Sequence, residues 1–122
     1  MPENPADYTR ADAGVLYMYK FDWEQFYPAL AQVFEEINPY LKEETPLFAL
    51  PIAKGIAFGE NPKDARQSFG TQRCELIAEA IFLAQNKPKD LWIESVLEYL
   101  ESKGFNLDKF YLNPKSSFDY GF

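Results

Sequence analysis

PIAKGIAFGENPKDARQSFGTQRCELIAEAIF, residues 51–82, is the stretch whose reading decides the fold. Ile52–Phe58 is short, apolar and β-prone, and predicts a strand interrupted at Gly55, where a bulge or a close backbone approach fits a missing side chain. Gly59–Asp64 supplies turn chemistry, with Asn61-Pro62 as a candidate cap for a short helical turn. A helix is then predicted from Ser68 to Asn86. Phe69, Ile77, Ala80, Ile81 and Ala84 form its buried stripe, with Glu75 and Glu79 on other faces. The stretch thus reads as strand, turn and helix, and Lys54, Arg66, Ser68, Gln72 and Arg73 all fall within it.

Working outward, Gly14–Lys20 (GVLYMYK) has the composition of an inner strand. Asp22 with Gln25 reads as a capping box opening a helix whose core face is Phe26, Leu30, Val33, Phe34, Ile37 and Leu41. Pro28 calls for a later helix start or a kink, and Pro39 ends the helix. Downstream, Pro88 and Asp90 close the central helix and start a third. Trp92, Ile93, Val96, Leu97 and Leu100 are its apolar face, and Gly104 its C-terminal stop before Phe105. The aromatic-rich tail from Phe105 is predicted to be packed down rather than loose. Residues 1–13 read as a flexible, polar lead-in.

With 122 residues, 47% apolar and 17% aromatic, the chain is sized for one domain with one core. A formal charge of −7 opposes binding to nucleic acid or to an anionic membrane, both of which select basic surfaces. There is no histidine and one cysteine, Cys74, so histidine-based triads, imidazole metal sites and an internal disulfide are ruled out. Acid–base chemistry would fall to Lys, Tyr, Asp, Glu or the thiol. No metal or cofactor is implied. The opening residues contain no signal-peptide apolar core and no run is long enough to span a bilayer, so the expectation is a cytoplasmic protein.

Several residues could carry chemistry, and each has a structural reading beside it. Ser68 can cap the helix, or the N–H groups around Ser68, Phe69 and Gly70 can receive an anion. Gln72 and Arg73 can curl back over the helix start, where a guanidinium grips phosphate or carboxylate; alternatively Arg73 pairs with Glu75, Glu79 or an acidic neighbour elsewhere. Lys54 can act as a general base if partly buried, or be a solvated strand end. Cys74 reads as a small core residue. Tyr111, Asn113, Phe118 and Tyr120 in the tail are candidate partner-binding residues, tyrosine being common at binding hot spots.

The runs P-I-A-K-G-I-A-F-G-E-N-P and S-F-G-T-Q-R-C-E-L-I-A-E-A, with G-V-L-Y-M-Y-K upstream and F-Y-L-N-P-K-S-S-F-D-Y downstream, resemble the HopA-type (Hrp outer protein A) type III secretion effector family. Gly55, Pro62, Ser68, Phe69, Gly70, Arg73, Cys74, Ala78 and Glu79 match its central motif, and Tyr111, Leu112 and Asn113 its closing segment. Many relatives carry His where Gln72 stands, and relatives extend further on the N-terminal side, so the resemblance implies the C-terminal portion of a longer architecture. It implies an α+β fold, a small antiparallel sheet with three main helices packed on it. It also implies either an injected effector, hence secretion, or a lyase-like component of class V lanthipeptide systems working with a kinase-like protein. In the second case phosphate would sit at the Ser68 helix start under Arg73, Lys54 would take the α-proton, and phosphoserine or phosphothreonine would lose phosphate by elimination. The alternative function is a protein-interaction module with no chemistry of its own.

Overall fold

The computed structural model describes residues 14–64 and 66–121, so the lead-in expected at 1–13 lies outside the described residues. The chain groups into two compact units, one formed by residues up to 46 with 51–57 and 117 onward, the other by 47–50 and 58–116. The elements are three helices and a two-stranded antiparallel sheet, an α+β fold.

In the first unit, helix α1 spans Trp23–Ile37, preceded by a 3₁₀ turn at Lys20–Asp22 and followed by another at Asn38–Tyr40. Asp22 makes no side-chain cap, so the expected capping box does not form: the residue is already helical, part of the 3₁₀ turn. α1 runs through Pro28, which leaves the Glu24 carbonyl without its helical N–H. Pro39 sits in the 3₁₀ turn that ends the helix. Of the expected core face, Phe26, Leu30 and Phe34 are half-buried, whereas Val33 and Ile37 are exposed.

The best-buried residue of α1 is Trp23, whose Nε1 donates to the Tyr120 carbonyl at 2.9 Å. Its ring meets Tyr27 and, edge-on, Tyr120. Phe118 stacks against Tyr120 at 4.7 Å and meets Phe21 edge-to-face at 5.6 Å. The end of the tail is thus held by aromatic packing.

Strand β1 (Leu50–Ala53) and strand β2 (Ile56–Phe58) form a hairpin closed by Lys54-Gly55. The single interrupted strand expected over 52–58 is therefore two short ones. Gly55 has φ +67°, and a Cβ there would lie 2.3 Å from the Lys42 carbonyl oxygen. Both the predicted close approach and the turn explain the glycine. The strand expected at Gly14–Lys20 is absent: the segment carries no ladder, and its side chains are exposed. β-propensity alone cannot make a strand without a partner edge.

The second unit is built on helix α2, Phe69–Ala84, and helix α3, Trp92–Ser102, packed on each other. Ser68 is the N-cap of α2, extended at φ −77°, ψ 159°, with its Oγ accepting from the Thr71 N–H at 3.1 Å. Ala80 and Ala84 are buried and Leu76 and Ile77 half-buried, but Ile81, expected inside, is exposed. α3 ends as expected. Gly104 (φ +91°) donates to the Glu101 carbonyl, and Phe105 N–H reaches the Leu100 carbonyl, the double bond pattern of a Schellman stop. Leu100 and Phe105 are buried, while Ile93 and Leu97 of the predicted apolar face remain exposed.

Candidate functional site

The chemistry-bearing residues of α2 gather around Arg73, among the described residues the one large side chain that is fully buried, at 0% exposure. One turn into the helix, its side chain is directed at the loop after the 3₁₀ turn Leu107–Lys109. Nε donates to the Phe110 carbonyl at 3.2 Å and Nη2 to the Leu112 carbonyl at 2.9 Å. Nη1 donates to Gln72 Oε1 and, at 3.5 Å, to Asn113 Oδ1. The guanidinium lies 4.6 Å from the Phe69 ring centroid, 5.0 Å from Phe105 and 5.6 Å from Phe110. A planar cation with a fork of donors suits two carbonyls two residues apart, and its faces suit aromatic rings.

Glu60 completes the arrangement. It is buried, its Oε1 accepts the Asn113 N–H at 2.7 Å and its Oε2 the Ser116 hydroxyl at 3.0 Å. Its own N–H donates to the Tyr111 carbonyl at 2.8 Å. Asn113 Nδ2 donates to the Asn61 carbonyl at 2.7 Å, and the Phe58 and Tyr111 rings meet edge-on. Burial lowers the Arg73 pKa to about 10, and the neighbouring Glu60 carboxylate works in the opposite direction. Segments 58–61, α2 and 110–116 are joined here by one buried charge-assisted network.

Phe69, Gln72, Arg73, Tyr111 and Asn113 are thus brought together. Ser68 and Gly70 are exposed at the helix start, and the Ser68 hydroxyl is engaged with the Thr71 N–H and, at 2.8 Å, Thr71 Oγ1. Gln72 and Asn113 also line a cleft of about 220 Å³ with Lys63, Asp64 and Pro114. Lys54 is exposed at the hairpin turn and belongs to the first unit, as do Phe118 and Tyr120, whose rings are used in packing. Arg66, exposed, pairs with Asp64 at 3.1 Å and holds that carboxyl below its usual range. Neither Glu75, which accepts from Gln67, nor Glu79, which accepts from the Tyr99 hydroxyl, takes Arg73; its acidic neighbour is Glu60, from another segment. Cys74 is exposed, so it is not the core residue expected from its place in the helix. Glu60 was not marked by any local pattern; a carboxylate after Phe58-Gly59 reads as an ordinary turn residue until its partners 53 and 56 positions on are known.

The network joins residues of the central motif to residues of the closing segment, and a family model covers the first and reaches Leu112 in the second. The HopA1 effector protein family model matches residues 1–112. The chain belongs to the HopA1 effector protein family. No curated protein and no solved structure matches it. This HopA1-family chain is therefore an effector-like domain, and among the described residues no helix is long and apolar enough to cross a membrane.

Proposed function

We propose that this HopA1-family domain acts by binding another protein, without chemistry of its own. The observation that carries the reading is the use made of Arg73. A phosphate-elimination site at the start of α2 requires a guanidinium that a phosphate can reach, and this one is fully enclosed, bonded to the Phe110 and Leu112 carbonyls. The same polar groups hold the fold of the second unit. Apolar side chains, by contrast, are presented outward in both units: Tyr19 is 81% exposed, Phe82 70% and Ile93 77%. Contiguous exposed apolar surface marks interaction sites, and these side chains are the candidates to form it.

Two measurements test this. Phosphoserine and phosphothreonine peptides incubated with the protein, alone and with a lanthipeptide-type kinase-like protein, are expected to keep their phosphate by mass spectrometry. Protein-dependent elimination would overturn the reading in favour of the lyase. A photo-cross-linker placed at Tyr19, Phe82 or Ile93 is expected to give, in host-cell extract, a discrete adduct at one of these positions. The adduct should be competed away by unlabelled protein and be absent from a cross-linker at exposed Glu36 of α1. Equal labelling at Glu36, or none anywhere, would count against protein binding.

A further inference from the structure

We infer that the groove between α2 and α3 is the docking site, and that its occupant is a basic amphipathic helix of the partner; this rests on the protein-binding reading above. The groove is a cleft of about 260 Å³ lined by Ala80, Leu83 and Ala84 of α2 and by Ser95, Glu98 and Tyr99 of α3, with Lys87 at its end. Small side chains make it. Ala80 and Ala84 are buried in its floor one turn apart, so about 6 Å of α2 carries nothing larger than a methyl at the bottom. Leu83 stands half out of the wall, and Phe82 is exposed next to it. A groove between two packed helices accepts the side-chain ridge of a third, with anchors at i, i+3 or i+4, and i+7.

Charge decides the occupant. Apart from Arg73, which is enclosed, every charged side chain on α2 and α3 is a glutamate: Glu75 and Glu79 on α2, Glu94, Glu98 and Glu101 on α3. Glu98 of α3 lines the cleft and Glu79 of α2 is bonded to the lining Tyr99, so each wall carries a carboxylate, with Lys87 at the end of the cleft. All five are exposed. Tyr99 Oη bridges from α3 to the Glu79 carboxylate at 2.7 Å, fixing one of these groups at the rim. A second copy of this chain, offering the same face, would set glutamate against glutamate, and an anionic membrane or nucleic acid would be repelled likewise. A helix with leucines along one face and lysines or arginines on its flanks satisfies both the apolar floor and the acidic walls.

The experiment uses three synthetic peptides of equal length with the full chain, followed by fluorescence anisotropy. One has leucines at i, i+3, i+4 and i+7 with lysine flanks, the second has glutamate flanks, and the third is a scramble of the first. Only the lysine-flanked peptide is expected to bind, with affinity falling as salt is raised. Substituting Glu79→Gln and Glu98→Gln together should weaken it by about fourfold, each exposed charge contributing about a factor of two. Leu83→Ala should weaken it several-fold while the circular dichroism spectrum stays unchanged. If the double variant does not fold, Glu98→Gln alone, which leaves the Tyr99 bond intact, gives the same reading with about a twofold loss. Absence of binding, equal binding of the acidic or scrambled peptide, or indifference to the glutamate substitutions would overturn the proposal. Should these peptides fail while a competed cross-link persists at Tyr19, the protein-binding reading stands and only the groove is lost.

Discussion

Replacing Arg73 by methionine separates a structural guanidinium from a ligand-binding one. Methionine keeps much of the stem and remains apolar among Phe69, Phe105 and Phe110, so little packing is lost. What is lost is the satisfaction of two buried acceptors, the carbonyls of Phe110 and Leu112. An unsatisfied buried polar group costs about 1–3 kcal/mol, so the pair costs roughly 2–6 kcal/mol. Against this stands relief from holding a buried cation, a penalty visible in the pKa lowered by burial to about 10. The Glu60 carboxylate, left buried beside a neutral side chain, cancels part of that relief. The net expectation is a destabilisation of about 3 kcal/mol, which for a chain of this size lowers the midpoint of thermal unfolding by about 10 °C. Hydrogen exchange should localise the damage, with Glu60 and Asn113 amides losing protection first, because each of their bonds joins segment 58–61 to the released loop 110–116. Arg73→Lys should recover little, since one ammonium cannot reproduce the fork across two carbonyls. A midpoint within 1–2 °C of the parent, with exchange across 110–116 unchanged, would refute the clamp and return Arg73 to the list of ligand-binding groups.

Three further outcomes follow from single positions. Ser68→Ala removes the cap on Thr71 N–H and should cost about 1 kcal/mol by chemical denaturation; Ser68→Asp, which can cap and adds favourable charge at the helix start, should restore it. Gly55→Ala sets a Cβ against the Lys42 carbonyl oxygen at positive φ and should destabilise by more than 1 kcal/mol, whereas Gly70→Ala, in open space within α2, should be neutral or stabilising. The Tyr99 hydroxyl is held above its ordinary pKa of 10.0, chiefly by its bond to Glu79. The folded state keeps that proton longer than the unfolded state, so the contribution is present below pH 10 and fades as pH rises through and beyond it. Titration of tyrosinate absorbance should show a late-ionising component from Tyr99, which moves earlier in Glu79→Gln.

The elements that local patterns determine were legible in the sequence. Ser68 before an apolar-periodic run announces a helix start, and Gly104 before Phe105 announces a stop, because capping and left-handed backbone are decided within a few residues. The three helices follow from such signals. Where a residue's state depends on distant chain, the sequence is silent. GVLYMYK has strand propensity but no partner edge, and Ile81, Ile93 and Leu97 have core periodicity but nothing packed over them. Arg73 had plausible carboxylates at Glu75 and Glu79, yet its donors go to carbonyls about 40 residues further on, and only the tertiary structure brings those within reach. A buried guanidinium takes whatever acceptors enclose it, and local spacing does not encode them.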